Sequence, residues 1–228
     1  MDGVDLIYVF NDEASKEVLT LKNELFKYLI KVRRHSVGDE IAFRSHEDIK
    51  TLHIYEITDI EPKKASLRLK TSKEYEVKPT KQLHIGWCKI DAKSIEKVLA
   101  SLSEIGVYKI TFIECERSQR NIKLDFKRFD RILEASMQQC GSTHKIIFDE
   151  SKSLNEFIEQ NPHAKMFDFT QKTLDDTSNI DCIIIGCEGG FSHAEKEFSN
   201  KLETFRLNTP LVLRSESAAV AISSKIIL

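Results

Sequence analysis

The residues best suited to chemistry lie between positions 183 and 192, where an apolar run ends in three closely spaced glycines. Residues 180–185 are short, β-branched and apolar, which is typical of a strand covered on both faces. Gly186, Gly189 and Gly190 follow, and glycine allows a backbone to take positive φ and to lie close against a ligand. The pattern predicts a strand that runs into a ligand-binding loop. An ordinary tight turn between a strand and a helix is the alternative.

A helix is predicted to begin directly after this loop. Ser192 and Glu195 have the spacing of a capping box, in which the hydroxyl accepts from a free N–H and the carboxylate reaches back to the cap. A glycine loop before a helix N-terminus brings backbone donors together at a polar ligand. Glu188 disfavours a phosphate at this point because two anions repel each other, whereas amino or hydroxyl groups suit it.

Composition narrows the class of protein. The chain has 228 residues, of which 31% are charged, and its net charge is −2. No apolar run approaches the roughly 20 residues that a membrane helix needs. The start, Met1-Asp-Gly-Val-Asp, is acidic and lacks the features of a signal peptide. We therefore expect a cytoplasmic protein without a membrane partner.

The cysteines and histidines give no sign of a metal site. The five cysteines include no Cys-x-x-Cys pair, which favours reduced thiols over a disulfide framework or a zinc site. The seven histidines are scattered, with no pair at metal-ligand spacing. The sequence thus predicts no bound metal.

Charge is unevenly distributed along the chain. Residues 22–44 carry six Lys or Arg and three acids, residues 61–81 carry seven and three, and residues 168–203 carry three Lys and eight acids. A basic N-terminal region is expected of a protein that grips a nucleic-acid backbone. A solvated face of a small barrel would have the same charge.

The predicted elements divide the chain into two parts. Strands at 6–10, 41–44, 51–60 and 65–71, with one helix at 24–34, indicate a small β-rich unit. After a linker around 71–81, strands alternate with helices, which predicts a mainly parallel sheet with helices on both faces. The strands are predicted at 84–88, 110–113, 145–148, 166–169 and 180–185, and the helices at 94–106, 126–140, 154–160 and 217–227.

Ligands of such sheets bind at the carboxyl ends of the strands. The loops that qualify follow residues 167–169, contain residues 186–190, and span residues 208–214. Neither a Rossmann Gly-x-Gly-x-x-Gly nor a phosphate-binding Gly-x-x-x-x-Gly-Lys-Ser/Thr is present. The common open nucleotide-binding sheets are therefore not supported.

The order of motifs in the last third resembles a known family. Ile-Gly-x-Glu-Gly-Gly-Phe-Ser-x-x-Glu from residue 185 and Leu-x-Leu-Arg-x-Glu-x-Ala-Ala from residue 211 are similar to the SPOUT RNA methyltransferases. The branch matched best methylates ring nitrogen 3 of a uridine in bacterial 16S ribosomal RNA. Residues 116–118, 134–141 and 29–39 also agree with it, so that the resemblance covers nearly the whole chain.

The resemblance implies a fold, a cofactor and partners. Residues 1–75 would form a PUA-like β-barrel domain that binds RNA. Residues 76–228 would form an α/β SPOUT domain whose last part is threaded into a trefoil knot around S-adenosylmethionine. The substrate would be 16S rRNA or the assembled small ribosomal subunit, and the enzyme would be a homodimer.

The resemblance also implies roles for individual residues. Arg214 would orient the target base or offset its charge, while Glu188 or Glu216 would organise the pocket or take the proton. The residues expected to contact the cofactor are Phe169, Gly186, Glu188, Gly189, Gly190, Leu207, Asn208, Leu213, Arg214 and Ser215. Those expected to contact RNA are Arg33, Arg34, Arg44, Arg117 and Arg120.

Two other functions remain open at this point. One is a SPOUT enzyme that acts on another RNA atom, such as a ribose 2′-hydroxyl. The other is a non-catalytic RNA-binding protein of ribosome assembly that has kept the fold, and cofactor binding would distinguish it from an enzyme.

Overall fold

The computed structural model describes residues 7–119, 122–177 and 179–228, which belong to two units. The first unit comprises the described part of Met1–Val77 together with Gln138–Thr143, and the second comprises the described parts of Lys78–Met137 and His144–Leu228. Arg120, which is expected to contact RNA, lies outside the described residues.

A mixed five-stranded sheet builds the first unit. Its strand order is β1-β3-β4-β5-β2; β1 pairs in parallel with β3, and the other pairs are antiparallel. Phe43, Tyr55, Ile57 and Leu67 are fully buried and form the centre of its core. The strands are β1 (Val9–Phe10), β2 (Val18–Lys22), β3 (Glu40–Arg44), β4 (Thr51–Ile60) and β5 (Lys64–Glu74).

One helix interrupts these strands, close to the predicted range. It begins as α1 (Asn23–Phe26) and continues as a π-helix over Lys27–Val32. Leu29 and Ile30 face the core, whereas Arg33 and Arg34 follow the helix and are exposed. The two arginines therefore remain accessible to a ligand.

Arg44 does not behave as predicted, because it is a buried structural residue. Its side chain is 1% exposed. Its guanidinium donates to the carbonyl oxygens of Ile49 at 2.8 Å, Lys50 at 3.1 Å and Tyr75 at 2.8 Å. A buried guanidinium bonded to backbone carbonyls cannot reach an RNA phosphate, so the prediction that Arg44 binds RNA is wrong.

The second unit is an α/β fold with a parallel sheet, as predicted, and the sheet has six strands where the sequence indicated five. The strand order is β11-β9-β10-β6-β7-β8, and every pair is parallel. The strands are β6 (His84–Cys88), β7 (Lys109–Ile113), β8 (Ile147–Ser151), β9 (Lys165–Phe167), β10 (Cys182–Ile185) and β11 (Thr204–Phe205). The α-helices are α2 (Ala92–Ile105), α3 (Phe126–Cys140), α4 (Leu154–Gln160), α5 (His193–Phe198) and α6 (Ser215–Ile227).

Local chemistry explains where α2 begins and ends. The Asp91 carboxylate accepts from the Ser94 N–H at 3.1 Å, which caps the N-terminus. Gly106 has φ 98° and stops the helix in the left-handed conformation that glycine adopts without strain. Among the described residues, no helix is long and apolar enough to cross a membrane.

Two cysteines form a disulfide that the sequence did not predict. Cys88 and Cys115 are bonded, with their Cα atoms 5.7 Å apart, and both are buried. Cys88 ends β6, and Cys115 follows the end of the neighbouring strand β7 by two residues. The parallel register therefore brings together two thiols that are 27 residues apart in the sequence. The expectation of reduced thiols throughout was wrong for this pair.

The partly buried His84 should make the stability of the folded protein depend on pH. Burial lowers the pKa of His84 from its ordinary value of 6.5 to about 4, and the nearby Lys109 ammonium acts in the same direction. The unfolded chain then binds a proton that the folded chain does not. The contribution of His84 to stability should be constant above about pH 6.5 and should be lost as the pH decreases from there towards 4.

Urea unfolding across this range should therefore give a steeper loss of stability below pH 6.5 for the wild type than for His84→Gln. The matched control is His193→Gln, since His193 is an exposed histidine of the same unit. Equal slopes for the wild type and His84→Gln would contradict the assignment.

Candidate active site

A pocket lies where β9 and β10 end and where the chain leads into α6. Its cavity of about 230 Å³ far exceeds the roughly 15 Å³ needed to hold one water molecule, so it can take an organic ligand. We call it the loop pocket. It is lined by Phe167, Asp168, Phe169, Ile185, Gly186, Cys187, Glu188, Gly190, Phe191, Arg206, Leu207, Thr209, Pro210, Leu211, Val212, Leu213, Ser215 and Ala218.

The glycine loop, residues 186–190, uses its glycines in different ways. Gly190 alone has positive φ, 65°, and its missing side chain would meet open space. A Cβ on Gly186 would lie 3.0 Å from the Phe191 ring, and one on Gly189 would lie 3.2 Å from Cβ of Arg117. Gly186 and Gly189 are therefore needed for close packing, and only Gly190 is needed for its backbone conformation.

The predicted capping box at the start of α5 is present. Ser192 Oγ accepts from the Glu195 N–H at 3.1 Å, and Glu195 Oε2 accepts from the Ser192 N–H at 2.8 Å. The second oxygen, Oε1, accepts from the backbone N–H of Glu116 at 2.8 Å. The Glu195 side chain is buried, so that it links the end of the glycine loop to the segment after β7.

Arg117 strengthens this link. Its Nη1 donates to the carbonyl oxygen of Gly189 at 3.0 Å, although the side chain is largely exposed. The segment expected to contact RNA and the loop expected to hold the cofactor are thus in direct contact.

The final loop before α6 forms the opposite wall of the pocket. Leu207 and Leu213 line the cavity and also pack against the core of the unit. Asn208 and Arg214 do not line it, and both are exposed. Arg214 is the N-cap residue of α6, with its backbone extended at φ −66° and ψ 157°. The Arg214 side chain therefore begins at the edge of the pocket, where it can meet a second ligand.

The two candidate carboxylates have different surroundings. Glu188 is exposed and lines the pocket. Glu216 is 9% exposed, does not line the pocket, and its Oε2 has no hydrogen-bond partner within the described ranges. Of these two carboxylates, only Glu188 lines the cavity.

Sequence reasoning missed two charged residues of the pocket. Asp168 follows β9 and forms an ion pair with Lys196 of α5 at 2.7 Å, and Arg206 follows β11. The predicted elements gave no signal for them, because Asp168 fell within the strand predicted at 166–169 and no strand was predicted before Arg206. In the structure both residues follow strands, and the carboxyl ends of parallel strands lie at one edge of the sheet.

The sequence-based site is brought together in large part. Seven of the ten residues expected to contact the cofactor line the loop pocket: Phe169, Gly186, Glu188, Gly190, Leu207, Leu213 and Ser215. Gly189, Asn208 and Arg214 do not line it. Arg33 and Arg34 belong to the other unit. Within the described residues, no group of three or more His, Cys, Asp or Glu side chains could hold a metal ion.

Three apolar side chains on the rim of the pocket are unusually exposed. Phe169 is 76% exposed, Leu211 73% and Val212 75%. Contiguous exposed apolar groups commonly mark a surface that binds a ligand or another protein.

Comparison with known proteins identifies the family. The family model described as an RNA methyltransferase domain matches residues 76–227. A ribosomal RNA small subunit methyltransferase E of Helicobacter pylori is 33% identical over 221 residues, covering 95% of this chain and 97% of the relative. The ribosomal RNA small subunit methyltransferase E 2 of Borreliella burgdorferi is 25% identical over 224 residues, covering 91% and 89%.

A solved structure shares the fold over nearly the whole chain. It is a ribosomal RNA small subunit methyltransferase E from Neisseria gonorrhoeae bound to S-adenosyl methionine, with a TM-score of 0.74, 16% identity and 96% of each chain covered. The family model and the extent of the match to the Helicobacter protein together decide the assignment. The chain belongs to the ribosomal RNA small subunit methyltransferase E family, and its residues 76–227 match that RNA methyltransferase domain.

Proposed function

We propose that this protein transfers a methyl group from S-adenosylmethionine to ring nitrogen 3 of a uridine in 16S ribosomal RNA. The observation that carries the proposal is the loop pocket itself, in a chain that matches a methyltransferase E over 95% of its length. The pocket lies at the carboxyl edge of a parallel sheet, between the two sequence motifs that resemble this family.

The residues present fit the cofactor. Ile185, Phe191 and Leu213 provide apolar walls for a flat adenine, and Gly186 keeps the loop backbone free of a side chain at the cavity. Glu188 offers a carboxylate at the pocket for an amino or hydroxyl group. When bound, S-adenosylmethionine supplies a methyl group that is activated by its sulfonium.

The protein must also prepare the nucleophile. Ring nitrogen 3 of uridine is a weakly acidic imide, which attacks only as its proton leaves. Arg214, at the pocket edge, would stabilise the negative charge that develops on the base. We assign the proton acceptor to Glu188 rather than Glu216, because Glu188 lines the pocket and the buried Glu216 does not.

We propose that the first unit is a PUA-like domain that grips the RNA backbone, with a domain boundary near residue 75. The mixed five-stranded sheet and the start of the family match at residue 76 support this division. Exposed Arg33 donates to Tyr28 Oη at 3.0 Å and lies over the Tyr28 ring at 5.4 Å. An ordered cation beside an exposed aromatic ring suits contact with single-stranded RNA.

We also propose that the last part of the chain, including loop 207–214, is threaded into the trefoil knot of the family. We propose further that the protein is a homodimer. The exposed rim of Phe169, Leu211 and Val212 supports a partner subunit at the pocket. Light scattering should give the mass of a dimer at micromolar concentration. Since the proposed substrate is ribosomal, we place the enzyme in the cytoplasm.

Arg117→Glu should weaken binding of an rRNA fragment about tenfold and make the negative slope of log affinity against log salt less steep by about one. The side chain is exposed and held beside the glycine loop, where it can meet a phosphate of the substrate. Lys97→Glu, at an exposed position of α2, makes the same change of charge away from the loop pocket. Equal affinity and slope for the wild type and Arg117→Glu would remove Arg117 from the RNA interface.

The function is tested by methyl transfer. Small ribosomal subunits and naked 16S rRNA from a strain that lacks this protein are incubated with labelled S-adenosylmethionine, and the product nucleosides are separated. Labelled 3-methyluridine is the expected result. A labelled 2′-O-methyl nucleoside would show that the enzyme methylates a ribose 2′-hydroxyl instead of ring nitrogen 3. Absence of both label and cofactor binding would favour a non-catalytic RNA-binding protein of ribosome assembly.

A further inference from the structure

We infer that Ser215 is a positioning residue, which holds the glycine loop in its cofactor-binding conformation through a hydrogen-bonded chain from Trp87. The inference rests on the proposed use of S-adenosylmethionine. It assigns a different role to Ser215 from the direct cofactor contact expected from the resemblance.

A single hydroxyl joins three elements of the second unit. Ser215 is the first residue of α6 and is 5% exposed. Its Oγ donates to the carbonyl oxygen of Gly186 at 2.5 Å and accepts from Trp87 Nε1 at 2.8 Å. Trp87 lies on the central strand β6, and Gly186 is the first residue of the glycine loop. Strand, loop and helix are therefore connected at one oxygen atom.

These contacts determine what the hydroxyl can do. A serine hydroxyl has one proton, and here that proton is donated to Gly186. Ser215 therefore has no proton to donate to a bound ligand. Its side chain acts on the pocket through the position of the Gly186 carbonyl.

The hydrogen-bonded chain matters because Trp87 and Ser215 have little access to water. Trp87 is 0% exposed, so loss of the acceptor would leave a buried indole N–H unpaired. The same loss would release the Gly186 carbonyl, at the point where the backbone leaves β10. Phe191 limits movement on one side of Gly186, and Ser215 holds the carbonyl.

Trp87 also provides a spectroscopic signal. It is the only tryptophan in the chain, so all tryptophan emission reports this site. An indole that loses its hydrogen bond emits at shorter wavelength, because its excited state is less stabilised. The emission maximum of the ligand-free protein should therefore depend on the Ser215 hydroxyl.

The chain contains a matched control on the same helix. Ser223 is also a buried serine of α6, and its Oγ has no hydrogen-bond partner among the described residues. Ser215→Ala and Ser223→Ala remove the same atom, a hydroxyl oxygen, from one helix, but only Ser215→Ala breaks the hydrogen-bonded chain from Trp87 to Gly186. Ser215→Thr keeps the hydroxyl and serves as the conservative variant.

The experiment measures three properties of the full-length protein: S-adenosylmethionine affinity by calorimetry, tryptophan emission, and methyl transfer. Ser215→Ala should bind the cofactor about tenfold more weakly, raise its KM more than it lowers kcat, and shift the emission maximum to shorter wavelength. Ser223→Ala should match the wild type in all three, and Ser215→Thr should recover most of the affinity. Wild-type affinity and emission in a folded Ser215→Ala protein would overturn the inference.

Trp87→Phe distinguishes positioning from direct contact. If Ser215 acts through the hydrogen-bonded chain, Trp87→Phe also weakens cofactor binding. Adding Ser215→Ala to Trp87→Phe then lowers the affinity by a smaller factor than Ser215→Ala does in the wild type. If Trp87→Phe binds with wild-type affinity while Ser215→Ala does not, Ser215 contacts the cofactor directly and the inference fails. If Ser215→Ala does not fold, Trp87→Phe alone still tests the inference: weaker cofactor binding than in the wild type supports it, and wild-type affinity overturns it. A wild-type protein that binds no S-adenosylmethionine would instead refute the proposed function.

Discussion

Arg214→Ala is expected to lower kcat for methyl transfer by at least about a hundredfold, because one preorganised group that stabilises developing charge is typically worth that much. The Kd for S-adenosylmethionine should stay within several-fold of the wild type, since Arg214 does not line the loop pocket. Single-turnover methylation of 16S rRNA, measured at saturating cofactor, separates the two quantities.

The controls for Arg214 use its own helix and its own charge. Lys225→Ala removes an exposed cation from the last turn of α6 and should leave kcat unchanged. Arg214→Lys keeps the charge without the planar guanidinium and should fall between the wild type and Arg214→Ala. An Arg214→Ala enzyme with normal turnover would exclude Arg214 from the chemistry.

Gly186→Val is expected to weaken cofactor binding by about a hundredfold, which corresponds to roughly 2.8 kcal/mol. Even a Cβ at this position would lie 3.0 Å from the ring of Phe191, which is 2% exposed. Overpacking of this kind costs about 1–3 kcal/mol, and the glycine loop is the part that can move. Calorimetry with S-adenosylmethionine measures the loss.

A compensating substitution tests this steric explanation. Phe191→Leu alone should be a mild variant, whereas Gly186→Val combined with Phe191→Leu should regain part of the lost affinity because the clash is removed. Gly186→Ala should lie between the wild type and Gly186→Val. If Gly186→Val binds the cofactor as well as the wild type does, close packing at this glycine has no part in cofactor binding.

Local patterns predicted most of the second unit correctly. Helices α3 and α4 begin and end where the periodicity places them, since their apolar positions repeat along one face. Strand β2 was missed, although Leu19 and Leu21 alternate with exposed neighbours, because a five-residue run beside helix-forming charged residues gives a weak signal. The two helices were predicted because their apolar pattern is regular, whereas β2 was missed because it is short and differs little from the sequence around it.

Contacts between distant residues explain what could not be predicted. The Trp87–Ser215 bond joins positions 128 apart, and no spacing rule applies at that separation. Burial of Arg44 depends on three carbonyl groups, one of them on a residue 31 positions away. The type of each residue was visible in the sequence, but its partner became known only from the fold.

The strand order has a consequence for the time at which activity arises during synthesis. The central strand β6 lies between β7 and β10, and β10 leaves the ribosome only after α2, β7, α3, β8, α4 and β9. All residues that line the loop pocket come from position 167 onward. A nascent chain can thus pair β6 with β7 early, but it has no binding site until α6 has emerged. Cofactor binding therefore reports that translation has passed α6, and fragments that stop before residue 206 should not retain S-adenosylmethionine.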